Sequence, residues 1–192
     1  SSRPTIATRR LRPKAMGLEL AVQRAVEASE APGEAAFRGW AEAVLSGRRE
    51  ATELVIRIVG AEEGRVLNAT WRGRDRPTNV LSFPADLPSE LALPLLGDLV
   101  LCAPVVAAEA REQGKSVSDH YAHLTVHGVL HLLGFDHEHA AEAQRMEAEE
   151  RRVLAGFGIE DPYREQGHCN RHRDSDAAWT PPDASGTTSD RS

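Results

Sequence analysis

The stretch Glu53–Trp71, ELVIRIVGAEEGRVLNATW, decides the fold. Its first part, Glu53–Val59, puts Leu54, Ile56 and Ile58 on one side and Glu53, Val55 and Arg57 on the other, the period-two pattern of a half-buried strand. From Ala61 the apolar spacing becomes helical, and a helix is predicted over about 61–71. The same change recurs outward in both directions. Leu18–Gln23 (LELAVQ), Asn79–Phe83 (NVLSF) and Asp98–Cys102 (DLVLC) read as strands, and helical patterns occupy about 34–46, 103–113, 117–133 and 139–155. Strands alternating with helices predict an α/β (α+β) fold: a single domain with about five helices on an about four-stranded mixed sheet. Pro84, Pro88 and Pro94 mark an irregular loop between the third and fourth strands.

At 192 residues and 20.9 kDa the chain suits one core. No apolar run approaches the ~18 residues of a membrane span. Cys102 and Cys169 offer neither a disulfide framework nor a C-x-x-C pair, so a reducing cytoplasm is expected. No signal-peptide core follows the basic N-terminus, and export is not expected. Net charge is −6, yet residues 1–15 hold Arg3, Arg9, Arg10, Arg12 and Lys14 and no acid. The rest is therefore more acidic than the whole, a poor general binder of nucleic acid, and any such role needs a local basic patch or that arm. The segment 164–192, rich in Ser, Asp, Pro, Thr and Gly, has too few aliphatic residues to offset its ordering entropy. Residues 1–15 are thus read as a disordered basic extension, 16–163 as the compact domain, and 164–192 as a disordered tail.

The predicted helix over 117–133 has clear ends. Ser116-x-x-Asp119 resembles a capping box, and Gly134 is a stop that takes the left-handed conformation without strain. Ala122, Val126, Val129, Leu130 and Leu133 form its expected buried stripe. Beside them, His123, His127 and His131 repeat at i, i+4, i+8. His127 and His131 can both reach one cation, and the turn after Gly134 can return His137 as a third ligand. Three neutral imidazoles suit Zn²⁺ and leave a fourth position open, the pattern of a catalytic site. Another divalent ion would also fit. A single such histidine would read as a satisfied core or surface residue; three at this spacing around a helix-ending glycine read as a metal site at the end of a core helix. His123 is left as an orienting residue, a substrate contact or plain helix surface.

The spacing H-x3-H-x2-G-x2-H matches that of metzincin zinc peptidases, in which a glutamate follows the first histidine as general base. Here that position is Gly128. The peptidase scaffold is present without its base. Arg72, Arg74 and Arg76 make a local basic strip, with an ordinary exposed loop as the alternative. Thr78, Asn79 and Ser82 could donate to RNA, with Thr78 and Asn79 alternatively only shaping the turn after Pro77. Asp98 and Asp136 could each orient a histidine, with a turn or strand cap as the simpler account.

HGVLHLLGFDH, His127–His137, strongly resembles the signature of the YbeY family of bacterial endoribonucleases. LNATWRGRDRPTNVLSFP (Leu67–Pro84), LLGDLVLC (Leu95–Cys102) and GFGIEDPY (Gly156–Tyr163) resemble further family motifs in the same order, and the resemblance spans about 16–163. It implies a single α/β domain with a metal-holding cleft, zinc ligands at His127, His131 and His137, and a functional arginine at Arg72. It also implies cleavage of single-stranded RNA, maturation of the 16S rRNA 3′ end, removal of defective ribosomes, and contact with the ribosome or ribosomal proteins. Two other readings remain: a metzincin-like metalloprotease, and a ribosome-associated binding factor with a structural metal.

Overall fold

The computed structural model describes residues 17–87 and 93–164. The expectations for the basic arm at 1–15, Pro88 and the tail beyond Arg164 lie outside the described residues. Within them the order is β1 (Gly17–Arg24), α1 (Glu34–Leu45), β2 (Ala51–Val59), α2 (Ala61–Arg72), β3 (Val80–Pro84), β4 (Leu95–Cys102), α3 (Ala103–Glu112), α4 (Val117–Leu132) and α5 (Ala140–Gly156). The strands form one sheet ordered β1-β2-β4-β3. β1 and β4 run parallel to β2, and β3 runs antiparallel to β4 at the sheet edge. The predicted mixed sheet and helix set are therefore present, and β4 begins earlier than Asp98. Its first turn of chain follows Pro94 and contains Gly97 at φ 151°, which reads locally as loop; pairing with Pro84 draws it into the sheet.

The period-two pattern assigns each face of the sheet. Leu54, Ile56 and Ile58 of β2 join Leu99 and Leu101 of β4 in a core completed by α1, α4 and α5. Each fully buried Leu or Ile contributes roughly 1.5–3 kcal/mol, so a one-residue slip in register would forfeit the face. Val59, Leu81, Val100 and Cys102 occupy the opposite face, packed against Leu67 of α2, Phe83 and Val105. Phe37 of α1 meets Tyr121 of α4 edge-on at 5.8 Å.

α4 is the central helix. Ser116 caps it, its Oγ accepting from the Asp119 N–H at 3.0 Å. It ends in a Schellman arrangement: Phe135 N–H reaches the Leu130 carbonyl at 3.1 Å and Gly134 N–H the His131 carbonyl at 3.0 Å. Gly134 takes φ 97° there, as a glycine stop requires. The buried stripe is wider than predicted. Tyr121, Leu124, Thr125 and Leu132 are buried as well, and Leu133 is only half-buried. The helix is covered by the sheet on one side and by α1, α3 and α5 around the rest, so it buries more than one narrow face.

Candidate metal centre

The end of α4 and the turn after it bring the three histidines together. The His127 and His131 rings lie 4.6 Å apart, those of His131 and His137 4.8 Å, and those of His127 and His137 6.1 Å. Each offers a ligand atom, and those atoms lie within 4.8 Å of one another. His131 Nε2 and His137 Nδ1 are 3.0 Å apart. Two nitrogens on one tetrahedral zinc at 2.0–2.1 Å would stand about 3.3 Å apart, so His131 and His137 are already near the separation one cation requires, and His127 lies within reach of it.

His131 also has the protonation a ligand needs. Burial, reinforced by the charges of His127 and His137, pushes His131 down to about 4. The ring is neutral near neutral pH, as a ligand must be. The turn that returns His137 is held by Asp136, whose Oδ1 accepts the backbone N–H of His137 at 2.6 Å and of Glu138 at 3.0 Å. Asp136 therefore serves as a turn cap. Asp98 alternates with Val100 and Cys102 toward the α2 side of the sheet, beside its partner Phe83, whereas the histidines lie with α4 on the other side. His139 is the N-cap position of α5.

A carboxylate that the sequence reading missed contacts two of the α4 histidines. Glu150 of α5 is fully buried. Its Oε1 accepts from His127 Nδ1 at 2.5 Å and its Oε2 from His123 Nε2 at 3.1 Å. The Tyr163 hydroxyl donates to the same Oε2. Burial would raise this carboxyl, but the hydrogen bonds from His123 and His127 outweigh it and hold it well below the usual carboxylate range. Burial and the Glu150 charge push the Tyr163 phenol up, so it stays a donor. Met146, Glu150, Val153 and Leu154 are the buried residues of α5, a helical stripe whose one acid the flanking glutamates mask in the sequence.

Acid should loosen this arrangement in metal-free protein. His131 is lowered to about 4 and His123, chiefly by burial, is lowered too. In the unfolded chain both take a proton near ~6.5. Between those values the unfolded state binds more protons, so stability falls as pH drops through the window. Thermal melts at about pH 7 and about pH 4.5 should show Tm lower at acid pH by ~5 °C from His131, allowing for the ring's partial exposure. In His131→Ala that part of the pH dependence should vanish; an unchanged profile would contradict the buried, neutral ring.

Gly128 explains the absent peptidase base. A Cβ built there would lie 2.7 Å from Leu99 Cδ2. The position faces β4, where the buried Leu99 side chain already fills the space a Cβ would enter, and not the histidine cluster.

The arginine strip sits at the other side of the same sheet edge. Arg72 ends α2, and Gly73 caps it at φ 67°. Trp71 meets Phe83 of β3 edge-on at 5.8 Å. Across the sheet, Leu132 of α4 lies beside Gly97, which pairs with Pro84. The segments carrying Arg72 and the histidines thus flank the same end of edge strand β3. Asp75 pairs with Arg65. The Asn68 amide donates to the Arg76 carbonyl at 2.7 Å and shapes the loop. Thr78 is half-buried. The Asn79 amide is engaged inside the fold: Nδ2 donates to Glu109 at 3.0 Å, and Oδ1 accepts from the Val80 N–H at 2.7 Å.

A family model described as Endoribonuclease YbeY matches residues 22–158. The chain belongs to the YbeY family. Relatives named Endoribonuclease YbeY include those of Halorhodospira halophila, 57% identical over 152 residues (78% of this chain, 98% of that one), and Alkalilimnicola ehrlichii, 59% identical over 155 residues (78% and 93%). A third, from Stenotrophomonas maltophilia, is 56% identical over 150 residues (76% and 93%). A Thermotoga maritima protein solved in solution aligns at a TM-score of 0.48 and 21% identity, over 79% of this chain and 100% of its own. The YbeY match takes in Arg72, the three histidines and Glu150, and stops short of Tyr163. Among the described residues no helix is long and apolar enough to cross a membrane.

Proposed function

We propose that the protein is a zinc-dependent, single-strand-specific endoribonuclease that matures the 16S rRNA 3′ end and takes part in ribosome quality control. It would work in the cytoplasm, with precursor rRNA as substrate and the ribosome or ribosomal proteins as partners. One observation carries the reading: a three-histidine cluster fit for a cation, in a chain whose relatives at 55–59% identity are named endoribonucleases.

His127, His131 and His137 would hold the ion, which supplies Lewis-acid chemistry at a phosphate. Phosphodiester cleavage builds negative charge on the phosphoryl oxygens. Arg72 would act on that charge, its planar guanidinium matching two phosphate oxygens at once. Its position beside the β3 end that α4 also flanks supports this role. Arg74 and Arg76 would add attraction for the RNA backbone on an otherwise acidic body. Thr78 would contribute a hydroxyl at the turn into β3. Asn79 would act by shaping that turn and holding Glu109, since its amide is engaged there.

The test is cleavage of a single-stranded, 3′-extended rRNA oligonucleotide. Arg72→Ala should cut about a hundredfold more slowly than wild type, as for loss of one charge-stabilising donor, with the protein still folded by circular dichroism. A cyclic-phosphate end on the product would identify the neighbouring 2′-hydroxyl as the attacking group. Equal cleavage by wild type, Arg72→Ala and His131→Ala would trace the activity to a contaminant and leave the binding-factor reading standing.

A further inference from the structure

His127 has two ring nitrogens with different tasks. Nδ1 lies 2.5 Å from Glu150 Oε1. An ionised carboxylate only accepts, so Nδ1 carries the proton and Nε2 is left with the lone pair a metal needs. Glu150 is itself fixed from two more directions. His123 donates to Oε2 from one turn earlier on α4, and Tyr163 donates to it from beyond α5. His123 and Tyr163 also lie 3.3 Å apart, with their rings edge-on at 5.6 Å.

His123, His127 and Glu150 could in principle hold a cation of their own. Contacts of 2.5 and 3.1 Å with a third donor on the same carboxylate are those of shared protons, and a cation between them would displace all of these bonds. The cluster is better read as a brace. We infer that Glu150 is the positioning residue of the metal centre: it locks the His127 ring with Nδ1–H inward and Nε2 toward the ion, and His123 and Tyr163 keep the carboxylate in place. The inference rests on the three-histidine reading and deepens it. Carboxylates of this kind fix the tautomer of a ligand histidine and raise its basicity, and their loss typically weakens metal binding 10–100-fold.

The experiment measures Zn²⁺ affinity by competition with a chromogenic chelator, in the full chain, for wild type, Glu150→Gln, Glu150→Ala and Val153→Ala. Ring ¹⁵N spectra of the metal-free proteins report the His127 tautomer. Glu150→Ala should bind zinc about 100-fold more weakly and show His127 as a mixture of tautomers. Glu150→Gln keeps an acceptor and the shape but loses the charge, and should weaken binding about tenfold. Val153 is buried on the same helix, and its truncation should lower Tm with zinc affinity unchanged. Zinc affinity and tautomer that stay at wild-type values in both Glu150 variants would overturn the positioning role. If Glu150→Ala does not fold, Glu150→Gln decides. Failure of the underlying reading looks different: wild type and His131→Ala would then bind zinc equally, or not at all, whatever the tautomer of His127.

Discussion

His131→Ala should lower RNA cleavage by about a thousandfold while the protein remains folded. His131 is the middle member of the cluster, with its Nε2 3.0 Å from His137 Nδ1 and its ring 4.6 Å from that of His127. Its removal leaves two histidines, one of them on a turn, too few to hold an ion against water. A catalytic metal is worth several kcal/mol of transition-state stabilisation, and each 1.36 kcal/mol is tenfold in rate, hence the size of the loss. The fold should survive because the ring is half-buried at the end of α4 rather than inside the core. Zinc content, cleavage rate and circular dichroism on one preparation make the check. A folded His131→Ala that cuts at the wild-type rate would remove the metal from the chemistry.

Gly128→Glu should fail to create a peptidase and should instead destabilise the protein by about 4 kcal/mol or more. Motif logic alone suggests that restoring glutamate after the first histidine would restore the zinc-peptidase base. The structure argues otherwise. A Cβ at this position already meets Leu99 Cδ2 at 2.7 Å and Leu99 Cδ1 at 3.2 Å. The side chain would enter a packed apolar layer and bring a carboxylate with no partner there. Overpacking of this kind costs about 1–3 kcal/mol, and an unpaired buried charge adds about as much again. Gly128→Ala should show the first cost alone. Denaturant melts of both variants, with a peptide-hydrolysis assay, separate the outcomes. A stable Gly128→Glu protein that cleaves peptides would revive the metalloprotease reading.

Much of the fold was legible because two periodicities rarely mislead when they alternate. Leu54, Ile56 and Ile58 defined β2 and its buried face, and Ser116 and Gly134 bounded α4 through capping chemistry that acts within a few residues. The first part of β4 was hidden because Gly97 reads locally as loop, and only pairing with β3 makes it strand. The clustering of His127, His131 and His137 was legible for the same local reason, since i, i+4 on a helix followed by a tight turn is short-range geometry. Glu150 was not. Its partners His123 and His127 are 27 and 23 residues away in sequence, and its neighbours Glu147 and Glu149 disguise it as one more surface acid. The burial of Glu150 depends on how α5 packs against α4, which is a tertiary fact. Asp98 shows the reverse: an acid at a plausible spacing whose strand face turns it away from the histidines.

The order of the braced centre along the chain has a consequence for synthesis. The sheet, α2 and Arg72 all precede Ala103, whereas His127, His131, His137, Glu150 and Tyr163 come from the last part of the described chain. Chains emerge from the N-terminus and fold as they lengthen. The strands and the basic strip are thus made first, but the core face of the sheet stays uncovered until α4 and α5 follow, because those helices complete the core. The segment from α4 through α5 also carries the three histidines and Glu150, so the hydrophobic core and the histidine cluster close together, in one late step of folding.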